Sequence, residues 1–116
     1  MSNWYILDNN HKPVPKPVLE AAKWMEDNPK RKIVKQEYID DIYVSTVFLG
    51  LDHSMYWDED KTPVLWETMI FGGKHDQSYQ ERYTSHKDAL EGHEKAINFI
   101  KKENNGNIKQ RNPESD

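Results

Sequence analysis

Four side chains that could do acid–base chemistry stand where the sequence leads one to expect apolar residues. Asp52 and His53 end the most apolar stretch of the chain, Glu67 interrupts a second apolar run, and His93 lies within an apolar helical stripe. An imidazole titrates near neutral pH, and a neighbouring carboxylate orients it, so such a set could act as a general acid and base. The same nitrogen and oxygen atoms could hold a divalent metal, although no fixed ligand spacing such as H-x-H accompanies them. We predict that the four residues meet in one pocket beside a sheet.

An aromatic loop lies between the two apolar runs. It carries Tyr56 and Trp57 next to the acidic residues 58–60. Exposed tyrosine and tryptophan side chains dominate the energetics of many binding surfaces, which favours a ligand or partner contact here. A loop that folds back over the edge of the sheet is the alternative. Stacking on a nucleic-acid base is disfavoured, because residues 52–63 hold four acids against one lysine and phosphate contacts need cations.

Composition restricts the class of protein. The chain has 116 residues, no cysteine and a formal net charge of −4, which indicates one domain without disulfides and disfavours a dedicated nucleic-acid binder. It contains no P-loop, GxGxxG, HExxH, GxSxG or EF-hand pattern. No apolar run approaches the length of a membrane span, and residues 1–4 do not begin a secretory signal. A cytoplasmic protein is expected.

Seven elements must position these residues. Hydrophobic periodicity and turn residues predict strands over 4–7, 33–38, 42–51, 64–71 and 79–83, and helices over 17–28 and from Ser85 to Lys102. Ser85 and Asp88 have the spacing of a capping box, and Gly92 in the second helix indicates close packing on the sheet. The order β-α-β-β-β-β-α predicts an α+β fold, with a mainly antiparallel sheet of about four to five strands and both helices on one face. Residues 1–102 form this domain, and residues 103–116 are expected to be a disordered polar tail.

Three segments resemble the signature of a family of small bacteriophage and prophage proteins without an assigned activity. They are STVFLGLDH within residues 44–53, WETMIFGG at 66–73, and Arg82-Tyr83 followed by Gly92-His93, and the opening 4–8 is also similar. In that family the Asp-His pair, the Glu-Thr-Met run and the Gly-His pair recur. The resemblance spans roughly residues 4–100 and implies that Asp52, His53, Glu67 and His93 share one site.

The resemblance implies a function by analogy with small phage proteins that act on host machinery or host defence. The expected function is that of an accessory binding protein, which sequesters or inhibits a host protein or a small, nucleotide-like signalling ligand without a cofactor. The ligand would be held by the His/Glu pocket together with Tyr56 and Trp57. The alternative is a small hydrolase or nuclease, metal-dependent or histidine-based, that uses His53, His93 and Glu67. Assembly with further copies of the chain stays open.

Overall fold

Six strands and two helices form an α+β fold in the part of the chain that the computed structural model describes. This part comprises residues 3–54 and 62–111, with side chains as far as residue 104. The elements in chain order are β1 Trp4–Leu7, β2 Pro13–Lys16, α1 Val18–Asp27, β3 Ile33–Ile39, β4 Ile42–Phe48, β5 Trp66–Phe71, β6 Gln80–Tyr83 and α2 His86–Arg111.

The first two strands form a separate antiparallel hairpin. Asp8 closes its turn by accepting hydrogen bonds from the backbone N–H groups of Asn10 and Lys12. Strand β2 was not predicted, because its prolines lack an N–H and argue against a strand interior. Here they are accommodated because β2 pairs with β1 alone among the described strands. The backbone N–H of Tyr5 donates to the carbonyl of Gly50 and ties the hairpin to the main sheet.

The main sheet has the order β3-β4-β5-β6, and every neighbouring pair is antiparallel. The most apolar strand, β4, lies in the interior of the sheet between β3 and β5. It ends at Phe48 rather than at Leu51, and Gly50 follows with a φ of +79°. This left-handed backbone conformation favours glycine, and it turns the chain towards the hairpin.

Both helices lie on the same face of this sheet, as predicted. Helix α2 contacts all four strands, and α1 reaches the same face through Trp24, whose ring meets Phe48 edge-on. The hydroxyl of Ser85 accepts the backbone N–H of Asp88 and so caps α2. The core residues of this face alternate along the two central strands and are Val44, Thr46, Phe48, Trp66, Thr68 and Ile70.

Helix α2 runs to Arg111 and so includes residues 103–111 of the segment whose composition predicts a polar tail. That the tail is disordered stays a prediction. No helix among the described residues combines the length and the apolar character needed to cross a membrane.

Candidate functional site

His93 lies at the centre of the helix-covered face and is fully buried. Its Nδ1 is 2.7 Å from the hydroxyl of Thr46, and its Nε2 is 2.9 Å from a carboxylate oxygen of Glu37. The hydroxyl of Thr46 in turn lies 2.5 Å from that of Thr68. Thr46 and Thr68 are register partners on β4 and β5, so the sheet itself aligns the two hydroxyls beneath the imidazole.

One assignment of hydrogens satisfies every group in this series. The phenol of Tyr83 donates to Thr68 at 3.0 Å, which leaves Thr68 to donate to Thr46. Thr46 then donates to Nδ1 of His93, and the Nε2–H donates to Glu37. In this assignment the Nε2 of His93 donates and its Nδ1 accepts, as its partners indicate. Because each threonine hydroxyl donates once and accepts once, the two buried threonines and His93 all have partners.

The outer end of the network is an ion-pair cluster at the solvent boundary. The ammonium of Lys35 lies 2.8 Å from Glu94 and 3.6 Å from Glu37. The hydrogen bond with Lys35 lowers the pKa of Glu94, and the same bond raises the pKa of Lys35. The ligand atoms of Glu37, His93 and Glu94 lie within 4.8 Å of one another and could in principle hold a metal ion. Lys35 already supplies a cation to both carboxylates, so a metal would have to displace it.

The inner end of the network depends on Gly92. A Cβ atom at this position would overlap the Tyr83 ring. The absence of a side chain therefore lets the ring lie between α2 and the sheet, where its hydroxyl reaches Thr68. The predicted close packing at Gly92 is confirmed, and it positions Tyr83 as well as the adjacent His93.

The series Glu37–His93–Thr46 has the carboxylate–imidazole–hydroxyl order of a catalytic triad. A nucleophile must reach its substrate, however, and both Thr46 and His93 have no exposed surface. The hydroxyl of Thr46 is also engaged by Thr68. As arranged, the series holds two strands and a helix together and presents no nucleophile to a solvent-borne substrate.

The predicted convergence of Glu67 with His93 is wrong. Glu67 alternates with Trp66 and Thr68 along β5 and so lies on the face of the sheet opposite His93. Its carboxylate accepts hydrogen bonds from Arg82 at 3.0 Å and from Gln80 at 2.8 Å. The carboxylate that meets His93 is Glu37 on the edge strand β3.

Asp52 and His53 lie in the chain after β4 and bond to backbone groups. One carboxylate oxygen of Asp52 accepts the N–H of Ser54 at 2.8 Å and that of Val64 at 2.9 Å. Burial acts to raise the pKa of Asp52, but these N–H groups outweigh it and lower the pKa overall. The Nδ1 of His53 lies 2.7 Å from the carbonyl oxygen of Leu51. The imidazole of His53 thus contacts a different group from those that contact His93. Asp52 links the backbone at Ser54 to the backbone at Val64.

Tyr56 and Trp57 lie outside the described residues, and their predicted role stays a prediction. The described part of the chain holds another aromatic surface, on the sheet face that carries Glu67. The ring of Tyr38 lies 4.8 Å from that of Tyr43, which lies 6.2 Å from that of Phe71. Tyr38 is 70% exposed and Phe71 37% exposed. We call these three residues the aromatic ladder.

Sequence reasoning missed Glu37 and Thr46 as the partners of His93, and Thr68 and Tyr83 as further members of the network. A signal for two of them was present: Thr46 and Thr68 stand as single polar residues on alternating apolar faces, as His93 does in its helix. Three such residues on faces that pack together must satisfy one another.

Comparisons with protein-family models, with curated proteins and with solved structures return no match to this chain.

Proposed function

We propose that the chain is an accessory binding protein that sequesters or inhibits a host protein, which it binds on the open face of its sheet. The observation that carries the proposal is the aromatic ladder. Tyr38, Tyr43 and Phe71 form a continuous row of rings on a face that neither helix covers. Exposed apolar patches on a single domain commonly mark interaction sites.

The chemistry of this face favours a protein partner over a nucleic acid. Gln36 and Gln80 carry amide groups on this face, and Gln36 donates a hydrogen bond to the buried hydroxyl of Ser45. The charged strand residues that the structure describes on this face are Glu67 and Arg82, and they pair with each other. A nearly neutral surface of aromatic residues within a polar rim is typical of protein interfaces, whereas nucleic-acid sites need unpaired cations.

The buried network favours binding over hydrolysis. Both nitrogens of His93 are engaged by protein groups, and its ring is sealed from solvent. The hydrolase alternative also required Glu67 in the same pocket, and Glu67 lies across the sheet. The resemblance to small bacteriophage proteins supports a bacterial host protein as the partner. The segment carrying Tyr56 and Trp57 is proposed as a second contact, since Asp52 fixes both of its ends.

The experiment first identifies a partner and then measures its affinity for the chain. Protein retained from a bacterial host extract by the immobilised chain is purified and titrated against the wild type, Tyr38→Ala and Phe71→Ala by calorimetry. We expect either substitution to weaken binding at least about ten-fold, as loss of an aromatic anchor does. The matched control is Leu19→Ala on α1, which removes an apolar side chain of 82% exposure from another surface and should leave binding unchanged.

Amide hydrogen exchange locates the contact. Slower amide exchange in β4 and β5 when the partner is bound would agree with the proposal. Wild-type affinity in both Tyr38→Ala and Phe71→Ala, or loss of binding in Leu19→Ala alone, would overturn it.

A further inference from the structure

A groove of about 470 Å³ runs between the edge strand β6 and helix α2, on the helix-covered side of the sheet. Tyr79 and Tyr83 line it from the strand side, and Gly92 lines it from the helix. The groove is therefore a different surface from the aromatic ladder, and binding at the groove does not depend on the proposed function.

The floor of the groove is rigid. Tyr83 is held by its hydrogen bond to Thr68 and by contact with the backbone at Gly92, while the ring of Tyr79 packs against Phe99 at 5.6 Å. A binding surface that is already ordered loses less entropy when a ligand binds.

One wall of the groove is the edge of the sheet. Among the described strands, β6 pairs with β5 alone. An edge strand directs a row of N–H and C=O groups outward, and an extended peptide can add to it as a further strand. The other edge, β3, is interrupted by a register shift between Ile33 and Lys35, and such irregularities protect an edge against pairing.

The walls carry an excess of negative charge. Glu81 from the strand and Asp88 and Glu91 from the helix line the groove, and Lys95 of the same helix lines it with them. The guanidinium of Arg82 is turned to the opposite face, where it pairs with Glu67. Burial raises the pKa of both Tyr79 and Tyr83, and the carboxylate of Glu81 contributes in the same direction, which agrees with a negative potential along the floor.

We infer that this groove binds an extended, lysine- or arginine-rich peptide segment of a protein partner, which pairs with β6 as a fifth strand. Backbone pairing supplies affinity without regard to sequence, and the three carboxylates select cationic side chains at alternate positions.

The test uses the full chain and two labelled decapeptides, one of alternating lysine and threonine and one of alternating glutamate and threonine. We expect fluorescence anisotropy to show binding of the lysine peptide and none of the glutamate peptide. The double substitution Glu81→Lys, Glu91→Lys should weaken binding at least about ten-fold, because it reverses the charge of the walls. The double substitution Glu20→Lys, Glu26→Lys on α1 makes the same change in net charge elsewhere and should have little effect.

A lysine peptide with alternate N-methylated amides separates strand addition from charge attraction. We expect it to bind at least about ten-fold more weakly, since it cannot form the ladder, and the unmodified peptide should slow amide exchange within residues 80–83. Equal binding of the methylated peptide, or equal loss in the two double variants, would overturn the inference. Tyr38→Ala should bind the lysine peptide as the wild type does, so this test and that of the proposed function can fail separately.

Discussion

The two faces of the four-stranded sheet use polar residues in opposite ways. On the helix-covered face, His93, Thr46 and Thr68 are fully buried and satisfy one another. On the open face, Glu67 and Arg82 form an ion pair beside the aromatic ladder. Buried polar groups stabilise a fold only when each of them has a partner, whereas the ion pair on the open face reaches solvent, with the Arg82 side chain 34% and the Glu67 side chain 12% exposed.

The contrast shows that titratable residues alone do not locate a functional surface. The residues with the most suggestive chemistry lie where solvent does not reach, and the surface open to a partner is built of aromatic and neutral polar side chains. If this division is correct, substitutions on the covered face should change stability, and substitutions on the open face should change binding.

The largest loss of stability is expected for His93→Ala. It leaves the buried hydroxyl of Thr46 without its acceptor and removes one of the two partners of Glu37, and the free energy of unfolding should fall by about 2–3 kcal/mol. Denaturant titration followed by circular dichroism measures it. His53→Ala removes a half-buried imidazole that contacts the backbone carbonyl of Leu51 and should lower the free energy of unfolding by less than about 1 kcal/mol. Equal effects of the two substitutions would contradict the buried network.

The second largest loss of stability is expected for Gly92→Ala. Overlap of the new methyl group with the Tyr83 ring should lower the free energy of unfolding by about 2 kcal/mol. The companion variant is Tyr83→Ala, which removes the ring that the new methyl group would meet. In that background Gly92→Ala should be neutral or slightly stabilising, because alanine favours a helix over glycine. Additive losses in the double variant would show that the ring does not lie against Gly92.

Asp52→Ala should lower the free energy of unfolding by about 1.5 kcal/mol, because it removes a charged acceptor shared by two backbone N–H groups. The pKa of Asp52 is lowered in the folded protein, so its contribution is present above the unfolded value of 3.8 and is lost as the pH falls through the folded value. The difference between wild type and Asp52→Ala should therefore be full at neutral pH and shrink in acid. A difference that grows as the pH falls would contradict this assignment.

The smallest effect on stability is expected for Tyr38→Ala on the open face, about 0.5 kcal/mol for one cross-strand ring contact. The same substitution is expected to have a large effect on partner binding. A loss of stability as large as that of His93→Ala would mean that Tyr38 belongs to the core rather than to a binding surface.

The sequence predicted the arrangement of elements better than the site. The element order β-α-β-β-β-β-α was sufficient to predict an α+β fold with both helices on one face. The hairpin partner β2 was missed because its prolines contradict the usual rule for strands, although they fit a strand with one neighbour.

The prediction of the site was wrong about the face of β5 on which Glu67 lies. Along β5, Trp66, Thr68 and Ile70 alternate with Glu67, Met69 and Phe71, and both sets are apolar enough to face a core. Alternation separates the two sets but does not say which one meets the helix. The partner of His93 comes from β3, whose Glu37 stands in a largely polar stretch where a single sequence gives no reason to expect a contact with a buried imidazole.

The hydrogen bonds of Asp52 have a consequence for how this protein could diversify. A single carboxylate accepts hydrogen bonds from the backbone N–H groups of Ser54 and Val64. These two positions are therefore held together without help from the residues that join them. Sequences of another length or composition could be grafted between these points without moving the neighbouring strands, as happens where surface insertions are tolerated. The two hydrogen bonds of Asp52 thus allow the sequence between residues 54 and 64 to vary while the scaffold is retained.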